Sequence, residues 1–439
     1  MKSRGVGRPL LVLCLCAWAA GSEAGCPARA AEPLRAGAAR ADITPPTGYA
    51  LWGYAARHDA PSVGVLDPLR ARALVLAAGS ERIALVSLDL GRAPTRQMTA
   101  AIRARVKKEA GVEHLFLVAS HTHHGPVIEV DTWPTPKNSY ARQLEGKIAG
   151  LIIEAAGKLR PARLGVASEQ TTLNRNRHSK LPDKPVDREL LVLRVEDLRG
   201  KPIAHAVNFA AHPTMHPAAV MKFSADYPGA LCDLVEKETG APCLFLQGAA
   251  GDLSANPGAE PGPVRFGRAV GRRALALARA VKCTAADRPT LQVREDDFKF
   301  GKRFDLRERS VRSLFEVAFF KELVDFYERE YREGIRPHLT TALLDGRVGF
   351  VGVSGEFFCG HALRLKKRAR LPHLLFLGYC NDYHQYFPTI EAAAEGGYGA
   401  DALVSPVEVG AGERMMDRAL IHLYRMRGKL KGLHVKKWE

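Results

Sequence analysis

No Cys-x-x-Cys pair occurs in these 439 residues, so the sequence offers no signature of a zinc-thiolate site. There is no long block of Lys or Arg, no zinc-finger or helix-turn-helix spacing, and no interleaving of basic residues with aromatics. Nucleic acid is therefore not the expected partner. Beyond the amino terminus no run is long and apolar enough for a transmembrane helix. Internal repeats and Pro- or Ser-rich linkers are also missing, which leaves one compact mixed domain. Acidic residues are the scarcer sign, 47 against 64 Lys and Arg, and the net charge of +17 is scattered over the chain. A basic exterior of that kind is solvated and favours anionic partners, an anionic membrane surface among them.

The amino terminus reads as an export signal. Lys2, Arg4 and Arg8 precede an apolar stretch from Leu10 to Ala20, then small residues follow, with cleavage after Ala24 or Ala30. Ala24-Gly25-Cys26 also has the form of a lipidation site. Residues 1–30 are assigned to the signal and 31–439 to one catalytic domain, in a protein exported to the periplasm, the cell surface or beyond. Cys232, Cys243, Cys283, Cys359 and Cys380 remain, as buried thiols or isolated disulfides.

What the chain does have is a series of short apolar runs that each break into a polar cluster. LFLVA leads to Ser120-His121-Thr122-His123-His124-Gly125-Pro126, AVNFA to His212-Pro213-Thr214-Met215-His216, and CLFLQ to Gly251-Asp252-Leu253-Ser254. VGFVGV leads to Gly355-Glu356, and LLFLG to Tyr379, Asp382, Tyr383 and Tyr386. In an open α/β sheet, loops beyond the carboxyl ends of strands converge on one crevice. The fold expected is α/β, with mixed sheets, packed helices and a metal site at those strand ends.

The spacing predicts strands at 73–76, 83–88, 115–119, 190–195, 203–209 and 243–247. Helices are expected at 95–109, 140–159, after Tyr227, and at 264–281, with one long amphipathic helix over 306–333. Order is expected to begin near Arg40, after a disordered stretch of Ala, Arg and Pro. The apolar stripe of the long helix, with Leu314, Val317, Phe320, Leu323, Val324 and Tyr327, faces the core or a lipid entrance.

His121 and His123, one residue apart in an extended segment, point to the same side and suit a metal, or one ligand beside a proton-transfer group. His212 and His216 follow a strand, and Glu356 is placed where a carboxylate completes a zinc sphere. Ser254 has neither the Gly-x-Ser-x-Gly of a nucleophile elbow nor the Gly-Lys-Ser/Thr of a phosphate loop. Arg175, in Asn174-Arg175-Asn176-Arg177, says little alone.

In order, Arg40-Ala41-Asp42-Ile43-Thr44-Pro45-Pro46, His-Thr-His, Asn-Arg, His-Pro, Gly-Asp-x-Ser-x-Asn, Gly-Glu, Tyr386-Phe387-Pro388-Thr389 and Gly397-Tyr398 resemble the neutral/alkaline, non-lysosomal ceramidases. The resemblance covers nearly all of the chain after the signal. It stops short of the immunoglobulin-like carboxyl-terminal domain of full-length members. It differs at His124, where the family has a small residue, and at Ala255, where it has Pro.

The resemblance implies one Zn2+ per chain, held by His121, His212, Glu356 and Tyr386, with Tyr383 competing for the last place. It implies His123 beside the reacting centre, Arg175 and Tyr398 at the substrate amide or its oxyanion, and Ser254 in the catalytic loop. The implied activity is hydrolysis of the N-acyl amide of ceramide or a related N-acyl lipid by metal-activated water, with no protein partner. Hydrolysis of other amides, esters or lactones, or zinc-dependent lipid binding without turnover, are the rival expectations.

Overall fold

The computed structural model describes residues 32–131, 135 and 139–430. The export signal, Cys26 and the last nine residues lie outside them. Twelve strands build two sheets. The larger contains β1 (Arg35–Asp42), β2 (Arg70–Ala78), β3 (Glu81–Leu88), β4 (His114–Ala119), β5 (Arg160–Gln170), β6 (Glu189–Asp197), β7 (Pro202–Phe209) and β8 (Cys243–Gln247). Their order across the sheet is β8-β7-β6-β5-β1-β2-β3-β4. The smaller contains β9 (Leu291–Asp297), β10 (His338–Leu344), β11 (Val348–Val353) and β12 (His373–Leu377), in chain order.

Most neighbours are antiparallel, but β3/β4, β7/β8 and β11/β12 are parallel pairs. Each parallel pair is joined by a helical crossover, and each delivers its carboxyl ends to the same place.

The two sheets pack face to face. Alternate residues of the large sheet, Leu74, Leu76, Leu85, Phe116, Leu193 and Leu244 among them, meet Ala342, Phe350, Leu375 and Leu377 of the small one. The period-2 alternation sends the other set, such as Val75, Val86, Leu115 and Leu117, to the opposite face. There α1 (Arg96–Ala110) and α2 (Tyr140–Gly157) cover one half of the sheet. Helices α3 (Asp226–Thr239) and α4 (Pro263–Ala280) cover the other, over Val207, Phe209 and Phe245. Beyond α5 (Arg309–Ala318) and α6 (Lys321–Glu330), α7 (Cys359–Ala369) and, after the short α8 (Ile390–Glu395), α9 (Ala411–Met426) complete the chain. The last of these packs on β10 and against α7. The layers run helix, sheet, sheet, helix.

Two expectations are corrected. The Ala-rich stretch before Arg40 is ordered: it is β1, with Leu34, Ala36 and Ala39 buried. Its small residues let α2 lie close, and a Cβ on Gly37 would come 2.2 Å from the Ala155 carbonyl oxygen. The long helix is two helices, because Phe319 and Phe320 take extended backbone angles between α5 and α6. All five cysteines among the described residues are buried and free, and no described helix is long and apolar enough to cross a membrane.

Candidate metal centre

His121 follows β4 with φ +70°, a left-handed turn that histidine adopts more readily than most residues. The turn is held by the amides of Ser120 and His121, which donate to the carbonyls of Leu88 and Leu90 at 2.8 and 2.9 Å. It aims the ring across the strand ends. His212 follows β7, its amide donating to the Leu253 carbonyl at 3.0 Å. Glu356 follows β11 through Gly355 and begins a two-residue strand parallel to Tyr386–Phe387, opposite Tyr386.

These three side chains meet. The Nε2 atoms of His121 and His212 are 3.1 Å apart, and Glu356 Oε2 lies 3.3 and 3.1 Å from them. Tetrahedral donors about 2.0–2.1 Å from zinc are separated by about 3.3 Å, so the spacing fits one ion. The far nitrogens agree. His121 Nδ1 donates to the Gly91 carbonyl and His212 Nδ1 to the Ala250 carbonyl, each at 2.7 Å. Both bonds leave Nε2 with its lone pair facing the centre, the arrangement that metal-binding histidines use. The two carbonyls belong to the loops after β3 and β8, the parallel partners of the strands that carry the histidines.

His123 Nε2 is 3.3 Å from His121 Nε2, close enough to be a further donor. Its Nδ1 has no hydrogen-bond partner, unlike those of His121 and His212. That difference suits a group that moves protons better than a fixed ligand. Burial, then the neighbouring His121 and His212, holds its pKa well below the ordinary histidine value. Burial and Arg177 push His212 down to about 3. Glu356 is held well below the usual carboxylate range: burial works against this, but the close approach of the His121 and His212 rings outweighs it.

Tyr383 donates to Glu356 Oε1 at 2.5 Å and Tyr379 to Oε2 at 3.4 Å. Burial, and next the Glu356 charge, raises both phenols well above their ordinary value, so both act as donors. Tyr383 therefore touches the carboxylate oxygen turned away from the histidines. Tyr386 stacks parallel to the His212 ring with centroids 6.5 Å apart, and its hydroxyl receives Arg177 Nη2 at 3.2 Å. Tyr398 sets its ring edge-on to Tyr386 at 5.6 Å.

Arg175 lies opposite Ser254 in a small antiparallel pair and, unlike Arg177, makes no hydrogen bond to these groups. The guanidinium at the centre is that of Arg177. Its Nη2 lies 2.9 Å from His212 Nε2 and donates to the Gly251 carbonyl at 3.1 Å. Ser254 is half-buried and bridges His212 through the backbone, and no base among the described residues hydrogen-bonds its hydroxyl.

Trp52, unmarked in the sequence, packs edge-on against His121, His123 and Tyr383 at 5.1–5.6 Å. It donates to Glu129 at 2.9 Å and fills the space a Cβ on Gly91 would need. Behind Tyr383, Arg92 is sandwiched over its ring at 5.5 Å and paired with Asp382 at 2.8 Å. Glu330, Asp382 and His384 also gather there, but Arg92 and Arg96 occupy their carboxylates, making an ion-pair network that braces Tyr383.

A cleft opens above the centre. Glu356, His123, Tyr386 and Tyr383 lie at its floor, and Trp52, Phe319, Phe320, Leu323, Leu403 and Val404 are among its walls. Tyr54, His58, Tyr327, Gln385 and Tyr398 add polar groups to this largely apolar lining.

Fold and centre together define a four-layer α/β protein with a histidine–carboxylate site fit for a metal, beneath an apolar cleft. Residues 34–260 match the family described as neutral/alkaline non-lysosomal ceramidase, N-terminal. The chain belongs to that family. A neutral ceramidase of Pseudomonas aeruginosa is 29% identical in an alignment of 269 positions that covers 55% of this chain and 40% of that protein. The chain thus spans less than half the length of that relative.

The crystal structure of neutral ceramidase from Pseudomonas aeruginosa superposes with a TM-score of 0.73 at 21% identity, over 91% of this chain and 75% of the other. A ceramidase complexed with C2 gives 0.72 at 20%, over 91% and 76%. Both likenesses establish the fold.

Proposed function

We propose that the chain is a zinc-dependent amidohydrolase that cleaves the N-acyl bond of ceramide or a related N-acyl lipid to a fatty acid and an amine. The observation that carries this reading is the set of donors from His121, His212 and Glu356, 3.1–3.3 Å apart at the floor of an apolar-walled cleft. These three, with Tyr386, would hold one zinc ion. When bound, zinc lowers the pKa of a water towards neutrality and polarises a carbonyl.

The remaining work falls to the protein. The apolar walls hold the acyl chain and keep bulk water from the floor, which strengthens every charge interaction there. Arg177 N–H and Tyr398 O–H are the donors for the negative charge that develops on the acyl oxygen. His123, neutral and without a partner on Nδ1, carries the proton to the departing amine. Ser254, in the loop bridged to His212 and with no base among the described residues at its hydroxyl, forms no covalent bond. Residues 1–30 are assigned to export and 31–439 to the catalytic domain.

The test uses the purified mature chain, with zinc measured by mass spectrometry and fatty-acid release from a short-chain fluorescent ceramide. About one zinc per chain is expected, with release abolished by chelation or by His121→Ala. A zinc-loaded chain that releases nothing from ceramide or any other N-acyl amide, yet turns over esters or lactones, would overturn the amide assignment.

A further inference from the structure

Helix α5 carries more apolar surface than the core covers. Its apolar arc begins at Phe315, 6% exposed and packed on Phe304, and continues round to Leu314 and Val317, which are 58% and 82% exposed. Val317 immediately precedes Ala318, Phe319 and Phe320, which line the cleft above the metal centre. On the lining formed by a distant part of the chain, Leu403 is 47% exposed. A single exposed leucine needs no explanation, but exposed apolar groups from two separate segments at one cleft do.

Much of the charge at this edge is paired locally. Arg312 is paired with Glu316, Asp325 and Glu328, and Lys321 with Asp325. The edge is therefore an apolar wedge and not a basic patch. A protein partner seated on it would obstruct the cleft. A bilayer seated on it would present a lipid to the cleft directly, without the cost of bringing the acyl chain through water.

We infer that Leu314 and Val317 of α5, with Leu403, form a rim that inserts into the surface of a lipid bilayer and seats the cleft on its substrate. The inference rests on the proposed lipid amidohydrolase reading. Insertion of apolar side chains persists on neutral lipid and at high salt, where the attraction of a basic chain to anionic lipid is screened.

The experiment measures co-sedimentation of the mature chain with phosphatidylcholine vesicles at high salt, for wild type, Leu314→Asp, Val317→Asp and Leu198→Asp. Leu198 is 55% exposed in the β6–β7 turn, at the strand ends opposite the site, and serves as the control. Melting temperatures check that each variant is folded. The two α5 variants are expected to lose about tenfold or more in vesicle binding, and Leu198→Asp to bind as wild type. Hydrolysis of a long-chain ceramide in the vesicles should fall in step, with cleavage of a soluble short-chain amide within about twofold of wild type.

Folded α5 variants that bind vesicles as wild type does would overturn the rim, as would equal loss on both substrates. Vesicle binding is read without turnover. If wild type binds but cleaves neither substrate, the rim stands and the amidohydrolase reading falls.

Discussion

Replacing Tyr383 by Phe removes one oxygen and leaves the ring between Trp52 and Arg92. The oxygen removed donates to Glu356 Oε1 at 2.5 Å, on a carboxylate whose residue is only 2% exposed. Water has little access to replace it, and a hydrogen bond to a charged group contributes roughly 1.5–3 kcal/mol. At about 1.4 kcal/mol per factor of ten, and in line with other groups that orient metal ligands, zinc affinity should fall about 10- to 100-fold. One site per chain should remain.

Competition with a chromophoric chelator gives the affinity, and elemental analysis at saturating zinc gives the stoichiometry. Affinity within twofold of wild type would refute the claim that Tyr383 orients Glu356. Complete loss of the site would refute it differently, by making Tyr383 a ligand.

Two further outcomes are expected. Arg177→Ala should lower kcat/KM on a cleaved amide about 10²- to 10³-fold, while Arg175→Ala stays within about threefold; the reverse order would return the oxyanion role to Arg175. His205 is buried on β7, and burial and then Arg194 lower its pKa to about 4. Between pH 6.5 and 4 the unfolded chain binds a proton there that the folded chain refuses. The stability contribution is therefore full above pH 6.5 and lost as pH falls towards 4, by roughly 1.4 kcal/mol per unit at most. Urea titrations of wild type and His205→Gln across that range should differ in slope, and equal slopes would exclude the effect.

The parts of the fold legible in the sequence were those in which burial writes a pattern. Apolar runs such as LFLVA and CLFLQ became β4 and β8, and Thr95 and Ser139 cap α1 and α2 where periodicity begins. β1 was illegible because its alanines are dictated by the close approach of α2 and not by strand propensity. The break at Phe319 was hidden because α5 and α6 are each amphipathic on either side of it. His121, His212 and Glu356 stand out in the sequence because each closely follows an apolar run. Arg177 shares the Asn-Arg-Asn-Arg run with Arg175, and only the path of the chain after that short strand separates them. Trp52 carries no local signal at all.

The centre draws on both sheets. His121 and His212, 91 residues apart, leave the large sheet, while Glu356 leaves the small one. No stretch of unfolded chain can imitate that grouping. An ion bound there would act as a rivet across the face-to-face packing, and its binding free energy would add to the resistance of the whole domain to unfolding. Stripping it would leave Leu76, Phe116, Phe350 and their neighbours to hold the sheets together unaided. Loss of the ion would then register as easier opening between the layers, even in a molecule with every helix and strand intact.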